Sequence, residues 1–171
     1  ATGNLSNNNI VMPRFKEFDQ FYHSTKTTST TVSQHNINIS GSNYLTMTPD
    51  ATSDFYELSW SMGNYCSGGY LGFGFYRADN TAFSSGETPV YRSGEHSYGQ
   101  FGLVTSDGNR YFHIDGSITL TCSGLTVGQP YYIRMVGMTH SSAGTFVWGD
   151  NPTGHHTATG IHVSMKRWST A

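Results

Sequence analysis

The stretch "DFYELSWSM" (residues 54–62) decides the fold class of this chain. One set of alternate positions is large and apolar: Tyr56, Leu58, Trp60 and Met62. The positions between them are mostly polar: Phe55, Glu57, Ser59 and Ser61. Because successive side chains of a strand point to opposite faces, this alternation predicts a β-strand with one buried face.

Similar segments recur on both sides of this strand. They are "INISGSNYLTMTP" (37–49), "YLGFGFYRADN" (70–80), "RYFHIDGSITLTCSGLTVGQPYYIRMVGM" (110–138), "TFVWGD" (145–150) and "IHVSMKRW" (161–168). In the second of these, Leu71, Phe73 and Phe75 share a face opposite Gly72 and Gly74, where another sheet or subunit can approach closely. We expect roughly eight to ten short strands in an antiparallel β-sandwich or jelly roll.

One segment is ambiguous between helix and strand. In "RFKEFDQFYH" (14–23), Phe15, Phe18 and Tyr22 are spaced like one face of a helix, whereas the aromatic content favours a strand. The chain of 171 residues is long enough for one domain. We therefore predict a flexible attachment segment over residues 1–9, which lack apolar anchors, and a single β-sandwich domain over residues 10–171.

Charge and hydropathy argue against two classes of partner. The chain has 9 Lys and Arg residues against 11 Asp and Glu, and the basic residues are scattered. No basic cluster is present to neutralise phosphates, so we expect no nucleic-acid partner. The apolar runs are shorter than the roughly 18 residues that a membrane-spanning helix requires, so we expect no membrane insertion.

Metal, cofactor and disulfide chemistry are weakly supported by the sequence. His155 and His156 are adjacent and would point to opposite faces of a strand, and His162 is separated from them by "TATG". We therefore expect no metal and no cofactor. Cys66 and Cys122 could form one bridge, but two half-buried thiols on strands are the favoured interpretation.

The sequence contains no recognisable catalytic arrangement. The carboxylates form no acid–base pair with a motif around it, and "GNYCSGG" (63–69) lacks the flanking residues of a nucleophilic cysteine site. There is also no phosphate-binding loop, dinucleotide fingerprint or HExxH motif. We therefore predict that the chain is not an enzyme.

The best candidate binding residues lie close together near the end of the chain. They are Trp148, Asp150, Asn151, His155 and His156. An aromatic ring stacks on the apolar face of a sugar while short polar groups bond its hydroxyls, so this cluster suggests glycan binding. The alternative is that Trp148 is a core or interface residue and the connection is merely hydrophilic. We predict that "NPTGHHTATG" (151–160) is an exposed hairpin loop.

The chain also resembles a β-domain found in tail fibres and other surface appendages of bacteriophages, especially marine ones. The similar segments are "STKTTSTTVS" (24–33), "LTMTPDATSDFYELSWSM" (45–62), "FGFYRADNTAF" (73–83), "PYYIRMVGM" (130–138), "AGTFVWGDN" (143–151) and "IHVSMKRW" (161–168). The resemblance favours a strand for residues 14–23. The closing "SMKRWSTA" departs from the segment with which that family often ends, and no catalytic residues carry over.

The resemblance implies a homotrimeric β-sandwich on the virion surface, made in the host cytoplasm and placed to contact the host. We expect the Gly-rich and aromatic strands near the trimer interface, residues 1–9 docked to other virion proteins, and exposed loops that bind a host surface glycan or receptor. Two alternatives stay open: a capsid-decorating protein without receptor binding, and a lectin-like or TNF-like trimeric binding module.

Overall fold

The computed structural model describes residues 12–24, 27–30, 37–84, 87–92, 103–104, 110–140, 144–149 and 160–169. The secondary-structure elements assigned in these ranges are all β-strands, so the all-β prediction is confirmed. The predicted attachment segment, residues 1–9, lies outside the described residues.

Twelve antiparallel strands form two sheets that pack face to face. The strands are β1 (Arg14–His23), β2 (Thr27–Ser29), β3 (Ile37–Asn38), β4 (Leu45–Met47), β5 (Phe55–Cys66), β6 (Tyr70–Ala78), β7 (Thr88–Arg92), β8 (Leu103–Val104), β9 (Arg110–Thr121), β10 (Tyr131–His140), β11 (Phe146–Trp148) and β12 (Ile161–Ser169).

Several short strands share one position in a sheet, which we call a lane. In the first sheet, β1 pairs with β12, and β2 pairs with β11. Both β12 and β11 lie along one edge of β5, and β9 lies along the other edge. In the second sheet, β3 and β4 lie beside β10, followed by β6 and then by β7 and β8. We number the lanes in the order in which the chain forms them. Read from one edge to the other, the lane order is 1-8-3-6 in the first sheet and 2-7-4-5 in the second. This order is that of a jelly roll, and it confirms the predicted fold class.

In two places, two consecutive strands pair one after the other with the same neighbouring strand and do not form a hairpin with each other. β3 and β4 both pair with β10, and β11 and β12 both pair with β5. The prediction of a hairpin between β11 and β12 is therefore wrong. β11 and β12 occupy the same lane, and residues 150–159 connect them.

β1 is a strand in spite of its helix-like aromatic spacing. Its register on β12 shifts between Phe15 and Glu17, so Lys16 is an extra residue that forms a β-bulge. The bulge moves Phe15 onto the face that Phe18 and Tyr22 occupy by ordinary alternation. A spacing of three and then four residues therefore arises here without a helix.

Aromatic side chains fill the core between the sheets. Trp60 of β5 contacts the rings of Phe73 and Phe75 in β6, with ring centroids 5.7 and 5.4 Å away. Directly across from Trp60 in β9 is Gly116, where a Cβ would lie only 2.4 Å from the indole ring. Glycine is therefore required at this position because the indole occupies the space of a side chain.

Candidate functional site

Trp148 lies in the core, not on a ligand-binding surface. Its side chain is fully buried, and its indole Nε1 donates a hydrogen bond to the Gly72 carbonyl oxygen at 3.0 Å. Gly137 faces the ring so closely that a Cβ there would lie 2.6 Å from it. A side chain enclosed in this way cannot stack on a sugar in solvent, so the prediction of Trp148 as a ligand contact is corrected in favour of the core alternative.

The other four candidate residues, Asp150, Asn151, His155 and His156, lie outside the described residues. The structure does show where the segment that carries them begins and ends. Gly149 donates its N–H to the Gly63 carbonyl oxygen at 2.8 Å, and β12 resumes pairing with β5 at the neighbouring Met62.

Gly149 and Gly160 are close neighbours in space. A Cβ on Gly149 would lie 3.7 Å from the Gly160 carbonyl carbon. Both glycines have positive φ, 81° and 62°, which side-chain-bearing residues rarely adopt. The polar residues 150–159 are therefore an insertion between two adjacent points of one lane.

The described residues contain no metal site. Within them, no group of three His, Cys, Asp or Glu side chains is arranged to hold an ion. His162 of β12 instead stacks on Tyr22 of β1, with ring centroids 4.3 Å apart.

Cys66 and Cys122 are both buried and free. Cys66 ends β5, whereas Cys122 follows the residue paired with Phe55 at the other end of that strand. Eleven residues of strand separate these ends by about 36 Å, far beyond the roughly 7 Å limit between the Cα atoms of a disulfide. Burial, reinforced by the nearby Asp54 charge, raises the pKa of the Cys122 thiol to about 11.

We expect neither thiol to react with a thiol-specific reagent while the protein is folded at neutral pH. Both are shielded from solvent, and the raised pKa keeps Cys122 protonated and weakly nucleophilic. An absorbance assay with an aromatic disulfide reagent should count no reactive thiol in buffer and two in strong denaturant. A missing thiol under denaturing, non-reducing conditions would show that the cysteines are bridged after all.

A Ser, a His and an Asp lie together on the exposed face of the first sheet. The Ser61 hydroxyl is 2.9 Å from His113 Nε2, and Asp115 Oδ1 is 3.1 Å from the same nitrogen. In a catalytic triad the serine and the carboxylate contact opposite nitrogens of the imidazole, so that the carboxylate orients the base. Here they compete for one nitrogen, and the arrangement does not form a proton relay.

Arg167 forms an ionic cluster with acidic side chains from two other parts of the chain, in which Arg167 and Asp54 are buried and Asp50 and Glu17 are exposed. Its guanidinium donates to Asp50 Oδ2 at 2.9 Å and to the Thr48 carbonyl oxygen at 2.9 Å, and Glu17 lies 3.4 Å away. Asp54 Oδ2, 3.9 Å from the guanidinium, accepts the Asp50 backbone N–H at 2.9 Å. The cluster joins β12 to β1 and to the connection before β5, so it has a structural role.

The pKa of Asp54 is lowered from its ordinary value. Burial acts to raise it, but hydrogen bonds from Ser169 and from the backbone of Asp50 and Ala51, together with the positive charge of Arg167, outweigh burial. This carboxylate therefore stays ionised inside the protein.

The most distinctive surface of the described residues is the outer face of β1, β12, β5 and β9, which we call the outer face of the first sheet. Aromatic side chains lie toward both ends: Phe15, Phe18, Tyr22, Phe55, Tyr65, Tyr111 and Trp168. Small polar side chains lie between them: Ser59, Ser61, Ser117 and Ser164. The sequence alone did not identify this face, although the spacing of Phe15, Phe18 and Tyr22 indicated that they share a face.

Two shallow depressions lie on this face. One is lined by Phe18, Gln20, Ser59, Ser61, His162 and Ser164, with parts of Trp60 and Val163 at its floor. The other is lined by Pro13, Phe55, Glu57, Ser117, Thr119 and Trp168, together with Ile118. The face therefore has relief, with protruding aromatic rings next to hollows.

The outer face of the second sheet is different. Tyr76, Val136 and Met138 form a small apolar cluster there and are buried in the single chain. Gly72 and Gly74, for which the sequence suggested a close approach, pair with Met138 and Val136 on this face. The described residues of this sheet thus present no comparable exposed apolar surface at its centre.

Comparison with known proteins identifies no family for the chain. No family model and no curated protein matches the sequence. Solved structures similar to this chain include the Eiger TNF from S. frugiperda, with 10% identity, a TM-score of 0.44, and coverage of 94% of this chain and 96% of that chain. The globular domain of zebrafish complement 1qA protein has 12% identity and a TM-score of 0.32, with 86% and 96% covered.

The structure of infectious bursal disease virus, Gx strain, is also similar, with 14% identity and a TM-score of 0.38. The match covers 93% of this chain and 36% of that chain. At these identities and scores the comparisons carry no inference about function. The fold assignment depends on the strand order described above.

Proposed function

We propose that this chain is a non-enzymatic module on the surface of a bacteriophage particle that attaches to the host cell surface by binding a glycan. In this proposal the module is a homotrimer, residues 1–9 dock it to other virion proteins, and residues 150–159 contact the ligand. The resemblance to phage appendage domains motivates the setting. The observation that carries the binding role is the insertion of ten residues between Gly149 and Gly160.

The composition of that insertion supports a recognition role. It contains Asp150, Asn151, His155 and His156, whose short polar side chains suit hydrogen bonding to sugar hydroxyls. Because the sheet continues on both sides through its pairing with β5, the fold does not depend on the insertion for its strand register. A segment that is dispensable for the sheet is free to serve recognition.

The geometry of Ser61, His113 and Asp115 supports the absence of enzymatic activity. This is the one Ser-His-Asp grouping that we find among the described residues, and its two contacts converge on one imidazole nitrogen. The second candidate function, capsid decoration without receptor binding, is favoured by the aromatic outer face of the first sheet. Such a face suits assembly more than recognition of a soluble ligand.

The test is binding of the purified protein to bacterial cells and to a glycan array. We expect the His155→Ala/His156→Ala variant to lose most binding with an unchanged melting temperature, because β11 and β12 are each held by their own pairing with β5. The matched control is His140→Ala, a histidine of β10 in the second sheet, outside both the insertion and the outer face of the first sheet. Equal binding by wild type and the double variant would reject the insertion as the ligand site, and no binding by wild type would favour decoration.

A further inference from the structure

We propose that the outer face of the first sheet is the contact surface between copies of this chain. The inference rests on the self-association in the proposed function and names the surface that mediates it. Four observations support it: aromatic exposure, charge, relief and size.

Exposed apolar side chains are concentrated on this face. Seven large hydrophobic side chains are exposed among the described residues, and five belong to this face or adjoin it: Met12, Phe15, Phe18, Tyr22 and Tyr111. Phe15 is 54% exposed and Tyr111 53% exposed, although they lie on opposite edge strands of the sheet. Two groups of exposed aromatic rings on one sheet face, with small polar side chains between them, are typical of an interaction surface.

The charges on the face suit a second copy of the same chain. Lys166 of β12 lies directly across from Glu57 of β5, and Asp115 is next to His113 on β9. Opposite charges are thus side by side, and identical faces meet little net repulsion. Enrichment in aromatic residues and a low number of charges are typical of the centre of protein interfaces, whereas a nucleic-acid partner would require a basic surface.

The relief of the face gives it a shape suited to close contact. An aromatic ridge follows β1 at the edge of the sheet, and the serine-lined depression lies beside it over β12 and β5. Protruding rings beside hollows allow the surfaces of two copies to interdigitate.

The size of the face is adequate for a stable contact. Four lanes about 4.8 Å apart and roughly 33 Å long cover about 600 Å² before the relief of the side chains is counted. Specific interfaces bury about 800 Å² on each partner. The face is therefore of the order needed for one interface.

The experiment measures the mass of the full-length protein by light scattering coupled to gel filtration, over a range of concentrations. We expect wild type to have a multiple of the 18.8 kDa chain mass. Phe18→Glu should weaken association about 100-fold or more and give a monomer, because it removes an exposed ring and, beside the Lys166–Glu57 pair, leaves a net negative charge in the contact. Tyr44→Glu, at an exposed tyrosine before β4 in the second sheet, is the matched control and should keep the wild-type mass.

Folding of each variant is checked by circular dichroism. If Phe18→Glu does not fold, Ser117→Arg on β9 replaces it, since this exposed serine lies at the other side of the face. A wild-type monomer at all concentrations overturns the inference, as does a folded Phe18→Glu or Ser117→Arg variant with the wild-type mass. A monomer whose tryptophan fluorescence responds to an oligosaccharide would make this face a sugar-binding surface instead.

Cell binding separates this inference from the proposed function. Loss of binding in the His155→Ala/His156→Ala variant with an unchanged oligomer supports the ligand role of the insertion independently of the interface. An oligomer that Phe18→Glu dissociates, but that binds neither cells nor glycans, would support the interface and reject host attachment.

Discussion

Replacing Trp148 by alanine is expected to lower the free energy of unfolding by about 3–5 kcal/mol. The indole is fully buried between the sheets, and its Nε1 is bonded to the Gly72 carbonyl oxygen. Gly137 leaves space for the ring and cannot fill the cavity that alanine creates. Chemical denaturation followed by far-ultraviolet circular dichroism measures the change without depending on tryptophan fluorescence.

Two further variants identify the source of this loss. Trp148→Phe keeps much of the buried volume but removes the hydrogen bond, so it should cost clearly less than alanine. Trp168→Ala removes a partly exposed indole from the outer face of the first sheet, and we expect a smaller loss because less apolar surface is buried there. A Trp148→Ala protein with wild-type stability but no glycan binding would contradict the core assignment.

Arg167→Met is expected to destabilise the protein by about 1–3 kcal/mol, because the guanidinium is buried beside Asp54, whereas water can solvate the exposed carboxylates of Asp50 and Glu17 without it. Asp50 and Glu17 would lose their cationic partner, and Asp54 would remain ionised in a buried position. The matched control is Lys166→Met at the adjacent, exposed position, where we expect a change within about 0.5 kcal/mol. Equal effects at the two positions would show that the cluster does not stabilise the fold.

The same cluster predicts the response of stability to acid. The folded-state pKa of Asp54 is lower than its ordinary value of 3.8. Its contribution is therefore fully present above that value and is lost as the pH falls through the lower, folded-state pKa. Melting temperatures measured between about pH 6 and pH 2 should fall steeply at the acid end in wild type and less steeply in Asp54→Asn. Parallel curves would contradict this assignment.

Local patterns predicted the elements better than they predicted the partners of those elements. The alternation in residues 54–62 predicted β5, the central strand of the first sheet, because burial of one strand face is visible in the sequence. The helix-like spacing of Phe15, Phe18 and Tyr22 was misleading because a bulge at Lys16 adds one residue to the period. The shared lanes of β3 with β4 and of β11 with β12 depend on pairing with distant strands, so local turn signals could not show them.

The candidate site shows the same limit. Trp148 precedes a polar, Gly-rich segment and therefore looked like a loop residue, but β11 is buried on both faces. Arg167 has an ordinary place in the alternation of β12, and its acidic partners come from residues more than 110 positions away. Charge clusters assembled over such distances are not detectable in a single sequence.

Because Gly149 and Gly160 lie next to each other, the segment between them, residues 150–159, can be exchanged as a unit. We expect residues added or removed between them to leave the pairing of β11 with β2 and of β12 with β1 unchanged, because both pairings lie outside the segment. Variation in length and composition at this point is thus separated from the stability of the sandwich. A lineage under pressure from changing host surfaces could exchange this segment by recombination, and an engineer could graft foreign peptides there, while the jelly roll that presents them stays the same.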